Sequence, residues 1–269
     1  MRIIISPAKK MNIRDDLWEY TGTPCYLPEA ETLKEYLKKL KYEEAKDIWC
    51  CNHKIAKLNY QRFQEMDLRA RLTPALLAFE GLQYQYMKPE IFTDSEMEYV
   101  QKHLRILSGF YGILKPLDGV VPYRLEMQAK IRLKKEGREY GNLYDFWRDK
   151  IAKEVTRGLS KEEIILNLAS KEYSKIIEPY LESKSKIVNC IFGREKMNKN
   201  GEVQIRVSGT EAKMLRGEMV RYLAVNDVRN LDGVKSFEGL GFKYQETLSD
   251  DVNLVFLNLL SGLQKMVFQ

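Results

Sequence analysis

Short apolar runs alternate with segments of helical periodicity along most of the chain. The β-branched run Ile3–Ile5 stops at Ser6-Pro7, which predicts a short buried strand. Similar runs predict further strands over Leu76–Phe79, Glu163–Leu168, Lys186–Phe192, Val203–Val207 and Asn253–Leu257. Helical periodicity with start signals predicts helices that open at Pro28, Thr93, Asn142 and Thr210.

Two of these helices have clear capping signals at their termini. Thr93 and Glu96 have the spacing of a capping box, and apolar residues continue at helical spacing from there to Leu107. Asn142 is placed to cap a helix that ends at Gly158. Because strands and helices interleave, the sequence predicts an α/β fold with a mixed sheet covered by helices. No Gly/Ser-rich linker interrupts the chain, so we expect residues 1–269 to form a single domain.

Composition is that of a folded protein with a modest basic excess. The 44% of apolar residues can fill a core, and the formal net charge is +6. The stretch from residue 102 to 138 has nine basic residues against Asp118, Glu126 and Glu136, so it alone holds an excess equal to that of the whole chain. Such clustering favours a polyanion partner, whereas a solvated surface is the simpler alternative.

Nothing in the sequence indicates secretion or membrane insertion. The apolar run at the start is too short for a signal peptide, and no run reaches the length of a transmembrane helix. The four cysteines show no CxxC spacing, and the set Cys50-Cys51-Asn52-His53 is a poor tetrahedral ligand set. We therefore predict a cytoplasmic protein without contact to a membrane, without a metal site and without a cofactor.

Three predicted strands end in polar residues. Ile3–Ile5 leads to Ser6 and Lys9, the strand ending at Leu168 leads to Ser170, and Val203–Val207 leads to Ser208-Gly209-Thr210. Ligands of open α/β sheets bind beyond the carboxyl ends of the strands, and a helix N-terminus offers free N–H groups to an anion. In the following helix, Lys213 and Arg216 share a face; they either contact phosphate or face solvent.

The segment from His103 to Lys115 has two glycines, Gly109 and Gly112, on either side of an aromatic pair. This is similar to the hairpin of helix-hairpin-helix motifs, in which glycines let backbone N–H groups approach a phosphate. A glycine at a helix end followed by a buried turn is the alternative. No P-loop, GxSxG, HExxH or GxGxxG motif is present, so the sequence leaves open whether the protein is an enzyme.

Ordered sequence blocks extend across nearly the whole chain. The blocks are Ser6-Pro7-Ala8-Lys9, Ala78-Phe79-x-Gly81-x-x-Tyr84, His103-Leu104-Arg105-x-Leu107-Ser108-Gly109-x-Tyr111-Gly112, Lys115-Pro116-Leu117-Asp118, Pro122 to Met127, Leu143-Tyr144-x-Phe146-Trp147, Asn167-Leu168-Ala169-Ser170-x-Glu172-Tyr173 and Arg216-Gly217. Together they resemble the YaaA peroxide-stress family, also described as UPF0246-type bacterial proteins. The resemblance implies a cytosolic bacterial protein that resists hydrogen peroxide by limiting unincorporated iron. It also implies a basic cleft and a helix-hairpin-helix-like element that binds duplex DNA. Glu80 departs from the pattern, because some relatives have a lysine there.

Two functional hypotheses follow. In the first, the protein binds duplex DNA non-specifically through phosphate contacts from Lys9, Lys10, Arg105, Gly109, Gly112, Lys115, Arg124, Lys213 and Arg216. In the second, it is an enzyme acting on a small anionic or nucleotide-like substrate held by Lys9, Arg124, Glu126, Ser170 and Lys213, with Glu126 or Lys9 as acid or base. Both require that Lys9, Arg124 and Lys213 line one cleft, with Glu126 paired to a cation. A duplex-wide groove favours binding, whereas a closed pocket favours chemistry.

Overall fold

The computed structural model describes residues 1–14, 17–160, 162–181, 186–197 and 203–258. Within these ranges the strands are β1 (Arg2–Ile5), β2 (Lys10–Met11), β3 (Thr73–Pro74), β4 (Phe79–Glu80), β5 (Leu104–Ser108), β6 (Gly112–Leu114), β7 (Gly119–Val120), β8 (Lys130–Lys135), β9 (Arg138–Asn142), β10 (Ile164–Leu168), β11 (Lys186–Met197), β12 (Val203–Arg206), β13 (Glu238–Gly239), β14 (Phe242–Tyr244) and β15 (Asn253–Asn258). The helices are α1 (Leu27–Lys39), α2 (Tyr42–Trp49), α3 (His53–Glu65), α4 (Ala75–Ala78), α5 (Leu82–Met87), α6 (Asp94–His103), α7 (Leu143–Trp147), α8 (Lys150–Thr156), α9 (Lys171–Ser174), α10 (Gly209–Val225) and α11 (Leu231–Lys235). Short 3₁₀ turns cover Pro89–Ile91, Glu178–Tyr180 and Glu246–Leu248.

Strand β1 lies at the centre of the main sheet, between β5 and β10. It runs parallel to both, and Ile3 pairs with Leu104 on one side and with Leu166 on the other. All four residues of β1 are buried, as expected for a strand covered on both faces. Beyond β10 the sheet continues with β11 and β15, which are also parallel to their neighbours.

Antiparallel strands close both edges of this parallel core. On one side β6 folds back on β5, and on the other β14 and β13 follow β15. The outer half of β11 also pairs with antiparallel β12. The predicted α/β fold with a mixed sheet and helices is therefore confirmed. None of the described helices is long and apolar enough to cross a membrane.

Five of the six predicted strands are present, and the strand over Leu76–Phe79 is the exception. Residues Ala75–Ala78 form the short helix α4, and the chain becomes extended only at Phe79. Every residue of α4 is buried. A short run that is apolar on all sides has no periodicity to separate helix from strand, so this prediction was wrong.

The predicted helix-hairpin-helix over residues 103–115 is also wrong. Helix α6 ends at His103, and the chain enters the sheet as β5 before returning as antiparallel β6. In the turn, the Ser108 hydroxyl accepts the backbone N–H groups of Phe110 and Tyr111, at 3.2 and 2.8 Å. The segment is thus a buried β-hairpin. Two helices joined by a short turn occur instead at α2 and α3, which Cys50 to Asn52 connect.

The predicted capping signals give a mixed result. The capping box of Thr93 and Glu96 is present, and the Asn142 side chain accepts the N–H of Asp145. The helix opened by Asn142 breaks at Arg148, whose φ of +46° lies in the left-handed region, and resumes as α8. The N-cap of helix α10 lies two residues earlier than predicted, because Ser208 and not Thr210 caps it.

Candidate functional site

The connections of β1 and β10 leave the sheet in opposite directions. After β1 the chain adds β5 on one side of it, and after β10 the chain adds β11 on the other side. The space beyond the carboxyl ends of two such strands is a topological switch point, where open α/β sheets bind ligands. A cavity of about 360 Å³ lies there, and we call it the switch-point cavity. Its lining residues are Ser6 to Lys10, Glu80 to Tyr84, Tyr123 to Glu126, Ser170, Glu172, Tyr173, Lys213 and Arg216.

Two serines connect the ends of β1 and β10. The Ser6 hydroxyl donates to the Ser170 hydroxyl at 3.2 Å and accepts the Ser170 backbone N–H at 2.8 Å. The Tyr84 hydroxyl, from α5, donates to the Ser6 carbonyl at 3.0 Å. These bonds fix the backbone on which Lys9 is carried and place two hydroxyl groups at the cavity wall.

Glu126 accepts from two cations that come from different parts of the chain. Its carboxylate lies 2.9 Å from the Lys9 ammonium and 3.1 Å from the Arg124 guanidinium. The Lys9 side chain is 65% exposed, whereas that of Arg124 is 10% exposed and also donates to the Trp49 carbonyl at 3.5 Å. The predicted convergence of Lys9, Arg124 and Lys213 on one cavity, with Glu126 paired, is confirmed.

Helix α10 brings two further cations to the cavity, and they differ in exposure. Lys213 is exposed, whereas Arg216 is half-buried and its Nε atom is buried without a hydrogen-bond partner. Burial lowers the pKa of Arg216, although a guanidinium remains charged at neutral pH. The sequence left open whether both cations contact phosphate or face solvent. Lys213 does face solvent, whereas Arg216 is half-buried and so differs from a simple solvent-facing cation.

The position of α10 depends on a close helix–helix contact at Gly217. A Cβ atom there would lie 3.0 Å from the backbone of both Gln83 and Met87 in α5, and closer still to the Gln83 carbonyl oxygen. The two helices therefore pack backbone to backbone. This contact holds Arg216 over the cavity, and it holds Gln83, whose amide donates to the Leu168 carbonyl at the end of β10.

A carboxyl group and three tyrosines form the other walls. Burial raises the pKa of Glu172, whose carboxylate accepts the Gln128 N–H at 3.3 Å. Tyr84, Tyr123 and Tyr173 are buried, and desolvation raises the pKa of each phenol, so they contribute neutral aromatic surface. The cavity thus combines fixed charges with flat apolar walls, as pockets for small organic anions do.

Glu80 neutralises a cation at the rim. It accepts from Lys10 at 2.7 Å and from the Asn12 amide, and these hydrogen bonds lower its pKa. Having a glutamate at this position therefore pairs Lys10 within the protein, so that the charge of this lysine is neutralised. Among the described residues that line the cavity, Lys213 and Arg216 are the cations that form no ion pair.

Four residues predicted to contact DNA lie away from the switch-point cavity. Arg105 and Lys115 line a second cavity near the amino end of β5. A Cβ at Gly109 would lie 2.5 Å from the Leu125 carbonyl oxygen, and one at Gly112 would lie 2.8 Å from the Trp147 ring. Gly112 also has a φ of +75°. Both glycines therefore permit close packing and a tight turn inside the protein.

Sequence reasoning missed the aromatic wall and the burial of Arg216. Tyr84, Tyr123 and Tyr173 occur in the blocks that carry the family resemblance, and that clustering was the available signal. The Ser208-Gly209-Thr210 segment, in contrast, does not line the cavity. It follows β12, which runs antiparallel to β11, so β12 does not end at the same edge of the sheet as the parallel strands. Within the described residues, no group of three or more His, Cys, Asp or Glu side chains is arranged to hold a metal ion.

Comparison with known proteins gives a consistent result. The family model described as peroxide stress protein YaaA matches residues 1–248. A UPF0246 protein of Desulfitobacterium hafniense is 48% identical over 261 residues, which cover 97% of this chain and 99% of the relative. A UPF0246 protein of Lachnoclostridium phytofermentans is 49% identical over 257 residues, which cover 96% of each chain.

Proposed function

Because this chain belongs to the peroxide stress protein YaaA family, we propose that it serves the peroxide stress response as an enzyme acting on a small anionic or nucleotide-like substrate in the switch-point cavity. The observation that carries the proposal is Glu126, held between Lys9 and Arg124 at the wall of a cavity of about 360 Å³. A pocket of this size admits a mononucleotide-sized ligand and excludes a duplex. Limitation of unincorporated iron is an indirect consequence in this proposal.

Each group has a role that its surroundings support. Arg216 and Lys213 bind the anionic group of the substrate, since neither is occupied by a carboxylate of the described chain. The aromatic wall holds the apolar part of the substrate. Glu126 exchanges a proton with the substrate, and Lys9 and Arg124 hold its carboxylate in position.

Substituting Glu126 with glutamine separates binding from chemistry. We expect E126Q to bind a mononucleotide such as AMP at least as tightly as the wild type, because a negative charge near the phosphate is removed. We expect conversion of the bound nucleotide to fall by about 100-fold or more, the usual contribution of a general acid or base. Isothermal titration calorimetry measures binding, and chromatography of the incubated nucleotides measures conversion.

The matched control is Glu98→Gln, which removes an exposed carboxylate on α6 that lies outside the cavity. It is expected to match the wild type in both measurements. If E126Q converts every nucleotide of the panel as fast as the wild type, or if the wild type binds none of a panel of mononucleotides, sugar phosphates and phosphate, the enzyme proposal fails.

Duplex DNA binding is the second candidate function, and exposed basic surface outside the cavity supports it. Strands β8 and β9 form an antiparallel hairpin that presents Lys130, Arg132, Lys134 and Arg138 to solvent. At the cavity mouth, Lys9, Lys10 and Lys213 are exposed as well. The buried residues Arg105, Gly109 and Gly112 are left out of this proposal, because a duplex does not reach them.

For this second candidate we expect non-specific binding that weakens steeply with salt. Phosphate contacts release condensed counterions, so a protein making about four contacts has a slope of log K against log salt near −4. Fluorescence anisotropy with two unrelated duplexes at several salt concentrations measures the slope. The double variant K130Q/K134Q should reduce its magnitude, whereas the exposed Lys57→Gln on α3 is the control for charge alone. Absence of binding at low salt would contradict this function.

A further inference from the structure

The second cavity, which we call the Arg105 cavity, shares no lining residue with the switch-point cavity. It has a volume of about 280 Å³ and lies where β5 begins and β6 ends. Such a space holds several water molecules or a small polar ligand. Its walls carry hydroxyl, amide, carboxyl and guanidinium groups, so the question is which of these still lack a partner.

Arg105 is the group without a counter-charge. Arg105 is only 7% exposed. Its Nη1 atom donates to the backbone carbonyl oxygens of Leu104, Gln101 and Lys102, at 2.6, 3.2 and 3.4 Å respectively. Its Nε atom is buried and unpartnered, and no described carboxylate lies within ion-pair distance of it. An isolated buried guanidinium is costly unless an anion or further acceptors complete its shell.

The two carboxylates of the cavity are occupied elsewhere. Asp118 accepts the backbone N–H of Lys115 at 2.8 Å, and Glu154 pairs with Arg157 at 2.9 Å. Glu154 and Asp118 do act on Arg105 from a distance, where they partly offset the desolvation that lowers its pKa to about 10. Arg105 therefore stays charged at neutral pH and lacks a direct acceptor for Nε.

Uncommitted donors surround the same space. The hydroxyls of Thr21 and Thr23 line the cavity, and neither has a hydrogen-bond partner among the described residues. Gln101 uses its oxygen to accept the Leu117 N–H at 2.9 Å, which leaves its amide N–H groups for a ligand. Lys115 lines the entrance with an exposed side chain. With Arg105, Lys115 and Arg157 against Asp118 and Glu154, the lining has an excess of one positive charge.

We propose that the Arg105 cavity is a binding site for a small oxyanion, with phosphate as the simplest member of the class. Arg105 donates from its unoccupied edge, Thr23 and the Gln101 amide donate hydrogen bonds, and Lys115 supplies charge at the entrance. Charge-assisted hydrogen bonds of this kind are the strongest that a neutral-pH site offers an oxyanion. The site is independent of the proposed activity of the switch-point cavity, because the two cavities share no residue.

The test titrates the Arg216→Met variant of the full chain with inorganic phosphate, so that phosphate binding in the switch-point cavity is weakened well below that of the Arg105 cavity. Calorimetry is expected to show one saturable phosphate site. In the same background, Lys115→Gln and Thr23→Val are each expected to weaken phosphate binding by about tenfold, the value of one hydrogen bond to a charged group. Arg105→Gln is expected to abolish it. Parallel titrations with sulfate and acetate distinguish a tetrahedral from a planar oxyanion site.

Lys57→Gln, an exposed lysine outside both cavities, is the matched control and should bind phosphate like its parent. The exposed positions 115 and 23 keep the test decisive if Arg105→Gln fails to fold. Absence of saturable binding of all three anions in the Arg216→Met background would overturn the proposal. So would phosphate binding that neither Lys115→Gln nor Thr23→Val weakens.

Discussion

Gly217→Val is expected to lower the free energy of unfolding by about 3 kcal/mol, the upper end of what overpacking a tight contact costs. The valine side chain would meet the backbone of Gln83 and Met87, which cannot rotate away as a flexible side chain does. Helix α5 would have to move, and with it the end of β10 that Gln83 contacts. The gain in helix propensity on replacing a glycine, about 1 kcal/mol or less, does not offset this.

Urea unfolding followed by circular dichroism measures this difference. The matched control is Gly209→Val in the first turn of the same helix, where an added Cβ meets no atom within 4 Å. It adds the same side chain to α10 without the clash, so its unfolding free energy should stay within about 0.5 kcal/mol of the wild type. Equal stability of the two variants would mean that α5 and α10 do not approach as closely as described.

Arg216→Met is expected to have opposite effects on ligand binding and on stability. It removes a half-buried cation with an unpartnered Nε, so stability should rise by about 1 kcal/mol, because no buried partner is left unpaired. Affinity for the best-binding mononucleotide should fall by about 100-fold, since a desolvated charge-assisted contact to the anionic group is lost. Such a trade between stability and binding is typical of a functional residue.

Arg221→Met is the control that separates the loss of a cavity residue from the loss of any half-buried arginine. Arg221 lies on the same helix, is also half-buried and has an unpartnered Nη1, but it does not line the cavity. Its substitution should change stability in the same direction and leave nucleotide affinity unaltered. Thermal unfolding and calorimetry on both variants measure the two effects. A stable Arg216→Met that binds nucleotides like the wild type would remove Arg216 from the proposed site.

The sequence predicted the parallel core of the fold well, because its strands have a simple physical signature. Runs such as Ile3–Ile5 and Ile165–Leu168 are buried on both faces, so they appear as continuous apolar segments with polar residues after them. Those polar ends were also the signal for the site. Ser6, Lys9 and Ser170 could be placed at one edge without any structure, because parallel strands end on the same side.

The hairpin from Leu104 to Leu114 could not be predicted in this way. Leu104 and Leu107 continue the apolar spacing of α6, and local pattern therefore extends the helix by four residues. What ends it at His103 is the pairing of Leu104 with Ile3, a contact between residues far apart in the chain. The burial of Arg216 is non-local in the same sense, because it depends on α5 approaching at Gly217.

The central position of β1 has a consequence for how the chain reaches this structure. Arg2 pairs with Ile165, so the middle strand of the sheet gains its second neighbour only after most of the polypeptide has left the ribosome. Until then β1 has only β5 as a neighbour, and its other edge is unpaired. Folding rates fall as contacts become more distant in sequence, and open apolar edges promote aggregation. A nascent chain of this protein therefore carries a central strand with one unpaired edge for much of its synthesis.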